Sequence, residues 1–347
     1  MATPVYRLEA DVAEGLEEIA QDEIRERLGD RVKLRPLDDR PGVIRFDYIG
    51  RDLREVRGLR TVQSVYLTRR FAIPRPKALL GDEHFRALLG MIETVRKLWQ
   101  PGAFQTLYLN AAGSESSVMQ RIKTELSGKT GLTTAEEGDL LIRLRHPPND
   151  EGWEALVRIS PRPLATRAWR VCNREGALNA AVAHVMVRLT QPKPDDVYVN
   201  LMCGSGTLMI ERLAAEQVQS AVGYDHDETA LDCARENVEA SGYGAFIMLQ
   251  RADVRALPLP DTSVDALAAD LPFGHLSGSH EGNVELYPQI LSEAARVAKA
   301  GARFVLITHE VRLMESLMAE SDVWATERVI RVALGGLYPR IFVLRRT

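Results

Sequence analysis

Val197-Tyr198-Val199-Asn200-Leu201-Met202-Cys203-Gly204-Ser205-Gly206-Thr207 is the stretch that decides the fold. Residues rich in β-formers run into a glycine-rich turn, and the apolar period over 208–213 predicts a helix directly after it. Glycine at such a turn lets the backbone approach a ligand closely, with the free N–H groups of the helix facing it. An ordinary tight turn has the same look, so the loop needs its surroundings. A nicotinamide-binding turn would need a third small residue three positions past Gly206, where the chain has Met209. A phosphate loop would need Gly-Lys-Ser/Thr at this turn, where the chain has Gly206-Thr207-Leu208.

Outward from the loop, short apolar runs at 221–224, 246–250, 264–269 and 303–308 alternate with helical periods, as in a doubly wound parallel sheet. The last two β-rich runs, 324–334 and 338–345, join through Gly335-Gly336 and predict a hairpin. A mostly parallel, Rossmann-like sheet ending in an antiparallel hairpin is the α/β class I methyltransferase arrangement. Asp225 closes the second run nineteen residues after Gly206, where a carboxylate can hold both ribose hydroxyls. The alternative role for Asp225 is the N-cap of a helix over 227–241. With His226 beside it, and Asp253-Val254 ending the third run, a nucleoside site takes shape, Asp253 accepting from an adenine amino group.

Asp270-Leu271-Pro272-Phe273-Gly274 ends the fourth run. An exocyclic amine on a base is a poor nucleophile because its lone pair is delocalised into the ring. A carboxylate (Asp270) and a backbone carbonyl (Leu271 or Pro272) accepting its two N–H bonds would aim that lone pair at a methyl donor, and Phe273 would stack on the base. Together with the loop, this points to an S-adenosylmethionine enzyme. Cys203 could be imagined as a nucleophile on a pyrimidine, but a thiol in the cofactor loop faces the donor, which leaves packing as its role. His275 and His280 read as polar loop residues near the substrate. They lack a third ligand partner, and no metal is expected.

Composition sets limits. Hydrophobic content of 45% and charged content of 27% are those of a globular protein, without an apolar stretch of membrane-span length. The first residues, with Glu9, Asp11, Glu14, Glu17 and Glu18, are too acidic for a signal peptide. Cys172, Cys203 and Cys233 show neither paired nor metal-ligand spacing, which predicts a reduced, cytoplasmic home. The net charge of −4 hides an asymmetry: residues 1–175 carry 29 Lys+Arg against 26 Asp+Glu, residues 176–347 carry 15 against 22. A polyanion would therefore dock mainly on the N-terminal half. Within it, 51–77 holds eight basic residues against Asp52 and Glu55, and 155–174 holds Arg158, Arg162, Arg167, Arg170 and Arg174 without an acid. Arginine outnumbers lysine 37 to 7, which suits phosphate recognition but is equally a mark of a GC-rich genome or a hot habitat.

The N-terminal part reads strand (6–10), helix (15–28), strand (42–46), helix (near 53–56) and strand (64–71), a small α+β layer closed off by Pro74 and Pro76. A helix at 83–99, a strand at 104–109, a helix at 116–126 and extended runs at 140–145 and 155–159 follow.

Over nearly its full length the chain resembles the THUMP-domain tRNA guanine-N2 methyltransferases. Ser160-Pro161-Arg162-Pro163-Leu164-Ala165-Thr166-Arg167-Ala168-Trp169-Arg170 resembles the end of that family's THUMP domain, and 174–179 its approach to the catalytic domain. The loop 200–207 is similar to the family's Asp-Pro-x-Cys-Gly-Ser/Thr-Gly-Thr, departing at Asn200 and Leu201, and 270–273 is a variant of its Asp/Asn-Pro-Pro-Tyr/Phe motif. The resemblance implies three domains: ferredoxin-like (1–75), THUMP (76–165) and class I methyltransferase (166–347). It implies S-adenosyl-L-methionine on Asn200, Cys203, Gly204, Ser205, Gly206, Thr207, Asp225, His226, Asp253, Val254 and Asp270, with Asp270, Leu271, Pro272 and Phe273 at the chemistry. It also implies a monomer acting on tRNA, gripped by acceptor stem and 3′ end, with Arg158, Arg162, Arg167, Arg170 and His275 toward the RNA. Gly278-Ser279, Asn283 and Leu286-Tyr287-Pro288 are most similar to the branch acting on guanosine 6. The guanosine-10 branch and ribosomal RNA guanine-N2 enzymes are the competing expectations.

Overall fold

The computed structural model describes residues 3–36, 40–147, 151–272 and 279–347. The chain forms two compact units, Met1–Val12 with Glu17–Ala165, and Ala13–Leu16 with Thr166–Thr347.

In the first unit, β1 (Val5–Asp11), α1 (Glu17–Leu28), β2 (Val32–Leu34), β3 (Val43–Ile49) and β4 (Ser64–Phe71) come first. They are followed by α2 (Asp82–Arg96), β5 (Thr106–Ala111), α3 (Ser117–Thr130), β6 (Thr133–Thr134), β7 (Leu140–Arg145) and β8 (Trp153–Arg158). All eight strands belong to one sheet, ordered β2-β3-β1-β4-β8-β7-β5-β6. The helix expected near 53–56 is a single 3-10 turn, Glu55–Gly58, and the short β2 and β6 carried too few residues to announce themselves.

Alternation sorts the residues of this sheet. Leu8 and Ala10 of β1, Ile44 and Phe46 of β3, and Ala155 and Val157 of β8 are buried in one apolar core. Their neighbours Glu9, Arg45 and Glu154 point to the other face. There Glu9, fully buried, accepts from Arg40 (2.9 Å), Arg45 (3.1 Å) and Arg145 (2.5 Å). Burial alone would raise the Glu9 carboxyl; the Arg145 and Arg40 guanidinium groups outweigh it and hold it below the usual range. Stability from Glu9 is therefore full above the unfolded carboxylate pKa and is lost as the pH falls through the lower folded value.

The second unit contains α4 (Ala180–Leu189), β9 (Val197–Leu201), α5 (Thr207–Ala215), β10 (Ser220–Asp225), α6 (Glu228–Ser241), β11 (Ile247–Arg251) and β12 (Val264–Asp270). Then come α7 (His280–Val297), β13 (Ala298–Thr308), α8 (Val311–Ala319), β14 (Trp324–Arg331) and β15 (Arg340–Arg346). The sheet runs β11-β10-β9-β12-β13-β15-β14. Its first five strands are parallel, while β15 lies antiparallel between β13 and β14. This is the Rossmann-like class I arrangement that the glycine loop and terminal hairpin predict. Strand order reverses at β9, the place where open α/β sheets bind ligands at their carboxyl ends. Leu201 at the end of β9 pairs with Tyr224 on one side and Ala269 on the other. Asp225 and Asp270, each one residue further on, therefore flank the mouth of the loop.

Replacing Glu9 by Ala removes the buried carboxylate shared by Arg40, Arg45 and Arg145, of which Arg45 and Arg145 keep Glu154. The expected loss is about 1–3 kcal/mol of unfolding free energy, read from urea denaturation.

Candidate active site

The turn after β9 is built on positive φ angles, 52° at Met202, 53° at Gly204 and 81° at Gly206, the last being the N-cap of α5. Bonds from Cys203 N to Tyr224 O and from Gly206 N to Cys203 O, both 2.9 Å, tie it to β10 and close it. Asp225 grips it from the side. Its Oδ2 accepts from Gly204 N at 2.8 Å and its Oδ1 from Asp227 N at 3.0 Å. The helix-cap alternative for Asp225 falls away, since the side chain capping α6 is that of Asp227, which accepts from Thr229 N at 2.9 Å. Each Asp225 oxygen has a second lone pair. A ribose diol fits that remaining capacity.

A cavity of about 240 Å³ opens here, lined by Met202, Cys203, Gly204, Ser205, Thr207, Asp225, His226, Asp270, Leu271 and Pro272, with Arg174 through Leu178 as a further wall. Asp270 is partly exposed as a residue, but its Oδ1 is buried and has no partner among the described residues. Desolvation raises its carboxyl to about 7. Asp270 lines the cavity, and a carboxyl there with acceptor capacity to spare fits an incoming N–H donor. Of the two carbonyls that could share the task, that of Pro272 is already taken. It accepts from the Tyr287 hydroxyl at 2.8 Å and from Asn283 Nδ2 at 3.2 Å. The carbonyl of Leu271 remains.

Other expected residues have different surroundings. Asn200 is buried and staples β9 to β12, its Nδ2 donating to Ala268 O at 3.0 Å. Cys203 is packed against Gly223, where a Cβ would sit 3.1 Å from its Sγ; burial pushes its thiol up, which removes it as a nucleophile. Asp253 lies outside the cavity wall, held by Arg255 and lowered to about 2 chiefly by that side-chain bond, and Val254 beside it is buried. Phe273 and His275 fall outside the described residues. Of the arginines expected toward RNA, Arg158 is buried and donates to the carbonyls of Ser160 and Pro161. Arg167 forms an internal pair with Glu211 at 2.8 Å, and Arg170 donates to Leu178 O and Thr207 Oγ1. Arg162 is exposed. Much of the 155–174 stripe is thus framework, because guanidinium groups bridge backbone carbonyls and buried acids as readily as phosphates.

Sequence reading missed the fastening of the cavity wall. Cys172 and Cys233 form a disulfide with Cα atoms 5.4 Å apart, correcting the expectation of three unpaired cysteines. A separation of 61 residues has no local signature. Beside it, fully buried Asn237 accepts from Val171 N and Cys172 N and donates to Cys172 O and Ser205 O, at 2.9–3.0 Å. One side chain thereby joins the wall, α6 and the glycine loop. An asparagine inside the apolar period of a predicted helix was the only hint.

Asp225→Ala is expected to weaken nucleoside-cofactor binding at least about tenfold by calorimetry, two charge-assisted bonds being lost. Asn237→Ala should cost roughly 1–3 kcal/mol of stability in chemical denaturation, since it removes four bonds to buried or part-buried backbone groups.

Comparison with known proteins agrees with this fold. The family model described as UPF0020, RMKL-like, methyltransferase domain matches residues 167–340. The chain is 33% identical over 183 residues to the mouse tRNA (guanine(6)-N(2))-methyltransferase THUMP3, covering 49% of this chain and 36% of that protein. It is 33% identical over 191 residues to a Thermus thermophilus tRNA (guanine(6)-N2)-methyltransferase, covering 55% and 56% respectively. The matched stretches thus span well under two thirds of these relatives. The crystal structure of TrmN from Thermus thermophilus superposes with a TM-score of 0.75 at 27% identity, covering 99% of this chain and 100% of that one. With half of its residues matched by the family model, over the unit that carries the glycine loop, Asp225 and Asp270, the chain belongs to the UPF0020, RMKL-like methyltransferase family.

Proposed function

We propose that this protein transfers a methyl group from S-adenosyl-L-methionine to the exocyclic N2 of a guanosine in tRNA, at position 6 of the acceptor stem. The observation that carries the reading is Asp270, which lines the cavity together with Asp225 and the glycine loop and keeps a buried carboxylate oxygen, Oδ1, without a partner among the described residues. The names of the relatives support the substrate, and the competing targets are guanosine 10 of tRNA and a ribosomal RNA guanine.

Bound against Asp225 and the loop, the cofactor would supply an electrophilic methyl group on sulfur. The protein's own part is to hold the amine. Asp270 and the Leu271 carbonyl accept its two N–H bonds, which aims the nitrogen lone pair along the line of displacement. As the N–C bond forms and the C–S bond breaks, one amine proton leaves, and the Asp270 carboxylate takes it. A guanine in a duplex cannot present N2 to such a cavity, so the base flips out and Phe273 stacks on it. The ferredoxin-like (1–75) and THUMP (76–165) segments grip the RNA by shape and phosphate, with exposed Arg162 among the contacts. A monomer without a metal suffices for these steps. The compartment we propose is the cytoplasm; no helix of the described residues is long and apolar enough to cross a membrane. The Cys172–Cys233 disulfide is the observation against that compartment, since such bonds are rare there.

Incubation with labelled cofactor and unmodified tRNA, followed by mapping of the labelled nucleoside, tests the reading; label on adenine or on no nucleoside overturns it. Asp270→Ala should abolish transfer while cofactor and tRNA affinities stay near wild type, the loss appearing in kcat. With the Asp270 carboxyl near 7, kcat/KM should rise as the pH climbs from 6 to 8, and Asp270→Asn should lose that limb. The stability sign is opposite. The folded state keeps this proton to a higher pH than the unfolded chain, so wild-type stability falls between about pH 4 and 7. Asp270→Asn should therefore be the more stable protein at pH 8 and gain nothing at pH 4.

A further inference from the structure

The Pro272 carbonyl is held from behind by groups that the transfer itself does not use. Glu310 N donates to Thr308 Oγ1 at 2.9 Å, Thr308 Oγ1 lies 2.7 Å from the Tyr287 hydroxyl, and that hydroxyl lies 2.8 Å from Pro272 O. A phenol has one hydrogen and a carbonyl only accepts. The Tyr287 hydrogen must therefore go to Pro272, and the Thr308 hydroxyl must donate to the phenol oxygen. Every proton in the run then has a fixed direction, from Glu310 N–H through Thr308 and Tyr287 to the Pro272 carbonyl. Bonds aligned in this way polarise one another, which strengthens the last. Asn283 closes the other side, its Nδ2 lying 3.2 Å from Pro272 O and 3.3 Å from Glu310 Oε1. Both of those partners accept only, which fixes the orientation of the amide. Asn283, Tyr287 and Thr308 are buried, and burial pushes the Tyr287 phenol up, so it keeps its proton.

We propose that Tyr287 and Asn283 are positioning residues, with Thr308 orienting Tyr287, whose clamp on Pro272 fixes the direction of the Leu271 carbonyl beside Asp270. The proposal rests on the transfer argued above. Three restraints converge on one peptide unit. Leu271 N donates to Ile307 O at 3.0 Å, the proline ring limits φ at 272, and the clamp immobilises the carbonyl beyond it. The peptide between Leu271 and Pro272 is left with little freedom to rotate. Release of the clamp lets the Leu271 carbonyl swing, and an acceptor displaced by about 1 Å is enough to cost roughly 100-fold in rate.

The test uses the full chain. Tyr287→Phe removes one oxygen and keeps the ring. Its kcat on tRNA should fall about 10- to 100-fold, with KM and cofactor affinity within about threefold of wild type and the melting temperature within about 5 °C. Asn283→Ala should fall in the same way. Thr308→Val should lower kcat, whereas Thr308→Ser, which keeps the hydroxyl, should restore it; a purely structural role would not separate these two. Unchanged kcat in Tyr287→Phe, or equal behaviour of Thr308→Val and Thr308→Ser, overturns the proposal while wild-type activity on tRNA leaves the proposed function standing. If wild type methylates no tRNA, the proposed function fails and hydrogen exchange decides the clamp. Peptides spanning 264–272 should then exchange several-fold faster in Tyr287→Phe than in wild type, and equal exchange overturns it.

Discussion

A backbone hydrogen given to a carboxylate organises the functional end of the second unit. Gly204 N reaches Asp225 Oδ2 at 2.8 Å only because the chain between β9 and α5 turns through positive φ at three positions. That turn brings Cys203 against β10, so Gly223 must lack a side chain, and it starts α5 on a glycine that approaches Ala234 of α6. Asp225 is thus a structural anchor with lone pairs to spare. The arrangement that fixes the loop also leaves Asp225 on the wall of the cavity.

Much of this was legible in the sequence, and for a physical reason. Parallel strands buried on both faces read as continuous apolar runs, and the residues after them fall at the carboxyl edge whatever the details of packing. Asp225 and Asp270 end β10 and β12, where those runs place them. What stayed hidden depends on contacts between distant segments. The Cys172–Cys233 bridge, the four bonds of Asn237 and the saturation of Pro272 by residues eleven and fifteen positions downstream leave no local pattern. The single sheet through the first unit was equally hidden, because β4 neighbours β8 rather than β5. The short β2 and β6 owe their existence to partners already in place.

Arginine was the least readable residue type. Arg158, Arg167 and Arg170 stand in a run without acids, and composition alone makes them a surface for phosphate. In the folded chain their partners are carbonyls, a hydroxyl and the buried Glu211, which also meets His184 at 2.9 Å. Charge counted along the chain says nothing about which acid the fold will supply. The useful signal is burial, and burial is set by the neighbouring apolar residues Trp169 and Ile159 rather than by the arginines themselves.

The place of β15 in the sheet also orders events in time. Arg340–Arg346 pairs with β13 on one side and β14 on the other, and its Ile341, Phe342 and Leu344 are at most 1% exposed. During synthesis β13 is made well before the strand that covers its free edge, whereas β14 precedes β15 by a short loop. Until β15 arrives, each carries an unsatisfied edge, and pairing directly with the other would be a wrong register. The parallel half, from β11 to β13, has all its strands early and can assemble as the chain emerges. The antiparallel end cannot, since β14 has no other neighbour in the sheet, and β13 keeps an open edge until β15 pairs with it.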